Sequence, residues 1–88
     1  MSEAKKTTDH TVIREWIEKR QGRPAKVVTG REEGGILRVD FGEPEPEFEQ
    51  IKWDEFFEIF DDNKLAFLHQ DETEDGKLSR FSKFVERE

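Results

Sequence analysis

Trp53-Asp54-Glu55-Phe56-Phe57-Glu58-Ile59-Phe60-Asp61-Asp62-Asn63-Lys64-Leu65-Ala66-Phe67-Leu68 contains both of the periods from which a mixed fold is built. Trp53, Phe56, Phe57 and Phe60 recur at i, i+3, i+4 and i+7, the spacing of one helix face, with Glu55, Glu58, Asp61 and Asp62 away from that stripe. Lys52 is a poor cap for this helix, so Asp54 is expected to serve one or two residues later. Asp61 and Asp62 oppose the dipole at the far end, and Asn63 is expected to stop the helix in a left-handed conformation. Leu65-Ala66-Phe67-Leu68 is then continuously apolar, which at this length predicts a strand buried on both sides. Four aromatic rings on one helix face need a sheet to cover them. Truncating one, as in Phe57→Ala, is expected to cost about 3–5 kcal/mol.

Upstream, Thr8 or Asp9 can cap a helix over 9–21 in which Val12, Ile13, Trp16 and Ile17 share a face. Gly22 is expected to close it in the left-handed conformation, and Pro24 prevents Arg23 from continuing it. A hairpin should follow: a short strand over 25–29, a turn over 30–35, and a strand over 36–41 in which Leu37, Val39 and Phe41 share a side. Gly42 breaks that strand, and the acidic, Pro-containing segment 42–50 reads as a connector. Downstream, Asp75-Gly76 marks a turn within the polar loop 71–77. Leu78, Phe81 and Val85 fit a helix, whereas 80–85 fits a returning strand; the strand is preferred because Leu65–Leu68 otherwise lacks a neighbour.

Together these elements predict an α+β fold of order α-β-β-α-β-β, with two helices packed on a mainly antiparallel four-stranded sheet. A single domain is expected over 1–88, with its ordered core at about 8–86 and a disordered tail at 1–7.

The chain has 88 residues, of which 22 are Asp or Glu and 15 Lys or Arg, for a net charge of −7. Its 42% charged content leans toward disorder, but eight Phe and two Trp supply large apolar areas that a disordered chain lacks. The charge is uneven: residues 1–40 carry a balance of +2 and residues 41–88 one of −9. That asymmetry hints at a polarised surface. There is no Cys, which excludes disulfides, thiolate metal sites and Cys nucleophiles and suits a reducing compartment. No apolar run approaches the ~20 residues that span a bilayer, and 1–10 lacks the apolar stretch of a signal peptide. A cytoplasmic protein without a membrane partner is expected.

Few residues suggest chemistry. His10 and His69 could act as acid–base groups near neutral pH, but neither stands in a Ser-His-Asp or metal-ligand pattern. Asp71, Thr73 and Asp75, followed by Gly76, partly match a calcium loop, yet its twelfth position, which should be Glu, is Ser82. A hairpin loop is the preferred reading there, and no cofactor is expected. The glycines Gly30, Gly34 and Gly35 lack the spacing of a phosphate loop. Arg14, Lys19, Arg20, Arg23, Lys26 and Arg31 gather around the end of the first helix and would form a phosphate-neutralising patch if they converged. Arg80-Phe81-Ser82-Lys83-Phe84 interleaves basic and aromatic residues as stacking surfaces do. Candidate interaction residues are therefore Arg14, Arg20, Arg23, Lys26, Arg80 and Lys83. The net charge of −7 works against a polyanionic ligand.

Thr7-Thr8-Asp9-His10, Ile13-Arg14-x-Trp16, Arg23-Pro24-Ala25, Gly35-Ile36-Leu37-Arg38-Val39-Asp40-Phe41, Trp53-Asp54-Glu55-Phe56-Phe57, Leu65-Ala66-Phe67-Leu68 and Ser79-Arg80-Phe81 span nearly the whole chain. In these blocks the chain resembles a family of small bacterial proteins, many of which carry the label 1,4-alpha-glucan branching enzyme. The label implies carbohydrate chemistry, in which an Asp nucleophile and a Glu acid are held by the loops of a (β/α)8 barrel. Such a barrel takes roughly 200 residues or more, so 88 residues are expected to be too few for it. The leading expectation is a non-catalytic interaction or accessory domain with a protein partner. The alternatives are nucleic-acid binding through the region Arg14–Arg31 and, more remotely, a carbohydrate activity.

Overall fold

Residues 3–27, 36–42 and 48–87 are described by a computed structural model. The chain runs through β1 (Lys5–Thr7), α1 (His10–Lys19), β2 (Arg23–Val27), β3 (Ile36–Asp40), β4 (Phe48–Gln50), α2 (Trp53–Asp62), β5 (Leu65–His69) and β6 (Ser82–Glu86). The turn expected over 30–35, the end of the strand expected over 25–29 and the Pro-containing stretch 43–47 lie outside the described residues.

Asp9 caps α1, its Oδ1 accepting hydrogen bonds from the N–H groups of Thr11 (2.9 Å) and Val12 (3.2 Å). The helix closes with paired bonds from Gln21 N–H to the Glu18 carbonyl and from Gly22 N–H to the Ile17 carbonyl, both 2.9 Å. The left-handed residue is Gln21, at φ 60°, rather than Gly22. Glycine is needed at 22 for room: a Cβ there would stand 2.9 Å from Ile17 Cγ2 and 3.0 Å from Val39 Cγ1. The second helix likewise ends on Lys64 at φ 51°, while Asn63 stays right of that region at φ −93° and donates from Nδ2 to the Ile59 carbonyl (2.8 Å). Lys52 occupies the N-cap of α2 without a side-chain bond, and Asp54 and Glu55 lie in the first turn, where they suit the dipole.

The strands form two three-stranded antiparallel sheets among the described residues, ordered β1-β5-β6 and β3-β2-β4, in place of the expected single four-stranded sheet. The hairpin β2–β3 and the pair β5–β6 are the expected ones. Each gains a three-residue strand from a segment read as tail or connector: Lys5–Thr7 pairs with β5, and Phe48–Gln50 with β2. Strands this short cannot display alternation, and Lys5-Lys6-Thr7 contains no apolar residue at all. Main-chain pairing and cross-strand charge hold them instead, as where Lys26 lies opposite Glu49 with Nζ 3.8 Å from its carboxylate.

Ladder phase decides which main-chain groups face outward. Gln70 N–H donates to the Phe81 carbonyl (3.3 Å) and Arg87 N–H to the Lys64 carbonyl (2.8 Å). By the alternation of an antiparallel pair, Val85 and Lys83 bond β5, whereas the backbones of Ser82, Phe84 and Glu86 point away from it. In the other sheet Ile51 N–H donates to the Pro24 carbonyl (3.1 Å), so residue 24 faces the β4 side, and the missing N–H of Pro24 interrupts no bond to β3. Arg23, Ala25 and Val27 then bond β3, which leaves the backbones of Leu37 and Val39 on its outer edge.

One core joins both sheets and both helices. It contains Ile13, Trp16 and Ile17 of α1, Leu37 of β3, Phe56, Ile59 and Phe60 of α2, and Phe67 of β5. Ala66 and Phe67, which point to opposite faces of β5, are both buried, as the apolar run predicts. The inward face of α2 is centred on Phe56, Ile59 and Phe60; Trp53 and Phe57 are half-buried beside it.

Candidate functional site

The basic residues around the end of α1 do not act as one patch. Arg20 is 6% exposed, its guanidinium lying 4.0 Å from the Trp16 ring. It donates to the main-chain carbonyls of Trp16 (3.0 Å), Asp71 (2.7 Å) and Ser79. Burial pulls its pKa below the ordinary value and the Asp71 charge acts in the opposite sense. This arginine ties α1 to the 71–79 loop. Arg14 bonds Glu18 one turn on (3.3 Å), and Arg23 stands opposite Asp40 in the β2–β3 register. Lys26 reaches Glu55 of α2 at 2.7 Å, and that hydrogen bond, ahead of the nearby Glu55 and Glu49 charges, raises its pKa against the effect of burial. Arg31 lies outside the described residues.

Asp71 and Thr73 of the candidate calcium loop are engaged within the protein. The Asp71 carboxylate turns to Lys5 (3.2 Å), Thr73 Oγ1 donates to the Lys77 carbonyl (3.3 Å), and Thr73 N–H donates to the same carbonyl (2.8 Å). Among the described residues no group of three His, Cys, Asp or Glu side chains is arranged to hold a metal ion. Gly76, at φ 79°, makes the turn its sequence predicts.

The histidines have separate surroundings. His10 stacks on Phe57 with centroids 4.1 Å apart, and its Nε2 lies 3.0 Å from Asp61, which also accepts from Arg87 Nη2 (3.1 Å). His69 is 5% exposed, stacked on Phe67 and edge-on to Trp16, with Nε2 4.0 Å from Asp71. Its Nδ1 is buried without a hydrogen-bond partner among the described residues.

The remaining candidates, Arg80 and Lys83, do come together, and the partner that joins them is Arg38. These three border a groove of about 650 Å³ between the outer edges of β3 and β6. Its apolar lining comes from Leu37, Val39 and Phe41 on one side, Leu65 and Phe84 on the other, and Ile59 of α2. Among the described residues no carboxylate lines it, in a chain of net charge −7. Arg80 lies 5.4 Å from the Phe41 ring centroid, and no ion pair among the described residues includes any of the three cations. Cations at both edges disfavour direct pairing of the two strands. Sequence reading missed Arg38 because alternation with Leu37 and Val39 marks it only as outward-facing.

By contrast, Asp54, Glu55, Glu58 and Asp62 line a wide, open face of α2. Fold and groove together define a small α+β domain that presents two unpaired strand edges across a basic, apolar-floored groove. No described helix is long and apolar enough to cross a membrane. Comparison with protein-family models, curated proteins and solved structures returned no match for this chain.

Proposed function

We propose that this protein is a non-catalytic interaction domain of the cytoplasm whose working surface is the groove between β3 and β6. The observation that carries this reading is the gathering of Arg38, Arg80 and Lys83, with no carboxylate among the described lining residues, over an apolar floor. An apolar floor supplies affinity and a charged rim supplies specificity and association rate. The test is capture from cell lysate by the wild type and by a variant carrying Arg38→Glu, Arg80→Glu and Lys83→Glu. A second variant, Glu58→Lys with Asp62→Lys, reverses the open face of α2 as the control. Loss of a bound protein with the first variant and its retention with the second is expected; an identical captured set for all three would defeat the reading.

One observation favours a second reading, a single-stranded nucleic-acid ligand: Phe81 is 48% exposed between Arg80 and Ser82, next to the groove. An exposed ring beside a cation is how sequence-tolerant stacking surfaces are made. A gel shift with an oligonucleotide, weakening steeply with salt and lost in Phe81→Ala, would replace the protein partner by this ligand.

A further inference from the structure

We propose that the groove receives an extended acidic segment of a partner protein, added as a strand along the free edge of β6 with its carboxylates under Arg38, Arg80 and Lys83. This inference rests on the interaction-domain reading and specifies its ligand. Three observations converge on it.

The first is ladder phase. Ser82 and Phe84 turn their main-chain N–H and C=O groups away from β5, Leu37 and Val39 turn theirs away from β2, and all four residues line the groove. Main-chain groups on both walls need partners, and an inserted strand supplies donors and acceptors at the matching repeat. The second lies on the facing wall, the outer edge of β3, where Arg38 Nη1 donates to its neighbour's carbonyl, that of Leu37, at 2.9 Å. A side chain thus covers an outer-edge acceptor that a β-ladder would otherwise take up. A carboxylate of a strand on β6 gives that guanidinium a bidentate partner across the groove.

The third is the division of chemistry across the groove. Leu37, Val39, Phe41, Leu65 and Phe84 form its apolar side, and the cations border it. In an extended segment alternate side chains point to opposite faces, so the matching ligand alternates apolar and acidic residues. β6 is five residues long, which at ~3.3 Å per residue accommodates a segment of about five residues. A fatty carboxylate or a phosphate would satisfy the cations but leave the edge amides unpaired.

The probe is a blocked heptapeptide alternating glutamate and valine, titrated into the full-length ¹⁵N-labelled chain. Amide shifts are expected at 36–41 and 82–86, with slowed exchange at Ser82, Phe84 and Glu86. Affinity should fall on the order of tenfold in Arg80→Glu with Lys83→Glu. It should also fall when lysine replaces glutamate in the peptide, and when the peptide's alternate amides are N-methylated, a change that leaves the protein untouched. Equal binding of the methylated peptide, shifts confined to other residues, or no shift at about 1 mM peptide would each overturn the strand proposal. If the peptide fails while the groove variant still loses its captured protein, the interaction reading stands and the acidic strand falls. Loss of neither defeats both.

Discussion

Arg20 sits at the end of α1 with its guanidinium shared among the carbonyls of Trp16, Asp71 and Ser79. A buried charge is tolerable only when its donors are used, and here carbonyls and the face of Trp16 replace the lost water. Arg20→Ala leaves these acceptors buried, and is expected to cost on the order of 3 kcal/mol in chemical denaturation, with partial recovery in Arg20→Lys. Wild-type stability of the Ala variant would contradict this role. Asp61 is a milder case, exposed but held by His10 first and Arg87 second, which lower its pKa from the ordinary 3.8. A depressed carboxylate pKa stabilises the fold above the unfolded-state pKa, and that contribution is lost as pH falls through the folded-state value. Asp61→Asn should therefore lower Tm at pH 6, by an amount equivalent to less than about 1 kcal/mol because the pair is solvated. That gap should close as pH falls through the folded-state pKa, below which both proteins lack the anion; a gap independent of pH would show that the carboxylate charge is not responsible. Neither role was legible from residue type: a basic residue near a helix end reads as surface, and only contacts with residue 71 and beyond make Arg20 a core tie.

At the scale of elements, α2 shows what a hydrophobic stripe tells and what it omits. The spacing of Trp53, Phe56, Phe57 and Phe60 located the helix and its inner half, but not the centre of the buried arc. Because α2 packs against β2 and β3 of one sheet and β5 of the other, its inward arc takes in Ile59, and Phe57 is left at the margin against His10 and Trp53. Phe56→Ala is therefore expected to cost about 3–5 kcal/mol, and Phe57→Ala about 1–2, correcting the larger loss that periodicity alone predicts for Phe57. Urea denaturation of the two variants measures the difference, and equal losses would contradict this placement of the helix. The terminal strand follows the same logic in reverse. Leu78, Phe81 and Val85 match a helical period, yet Ser82–Glu86 is a strand because the edge of β5 offers main-chain pairing, and Leu78 and Phe81 remain exposed.

In the whole molecule, the basic first half and acidic second half are interleaved rather than set apart. Lys5 meets Asp71, His10 meets Asp61, and Lys26 meets Glu49 and Glu55. Part of the charge asymmetry is thus used in closing the fold, and the groove cations, which form no ion pair among the described residues, come from both halves. β1 is the other device at this scale: it lies on β5, whose residues 67 and 69 turn their backbones toward it while 66 and 68 bond β6. Deleting residues 1–8 should lower Tm and speed exchange at the amides of Phe67 and His69 far more than at Ala66 and Leu68. Uniform exchange along β5 in the truncated chain would contradict that pairing, as would unchanged protection. Such a truncation also creates a new exposed edge, so a rise in aggregation is expected with it.

The amino-acid sequence by itself determined both helices, the β2–β3 hairpin, the buried strand β5 and its returning neighbour, because each carries a local period or turn signal long enough to read. Only the tertiary structure decided that the strands split into two sheets, that Lys5–Thr7 and Phe48–Gln50 belong to them, that Arg20 is interior, and that Arg38 joins Arg80 and Lys83 over one groove. The physical reason is common to all of these. They depend on pairing and charge between residues distant in the chain, and a three-residue strand or a single arginine has no periodicity of its own to announce where it will be needed.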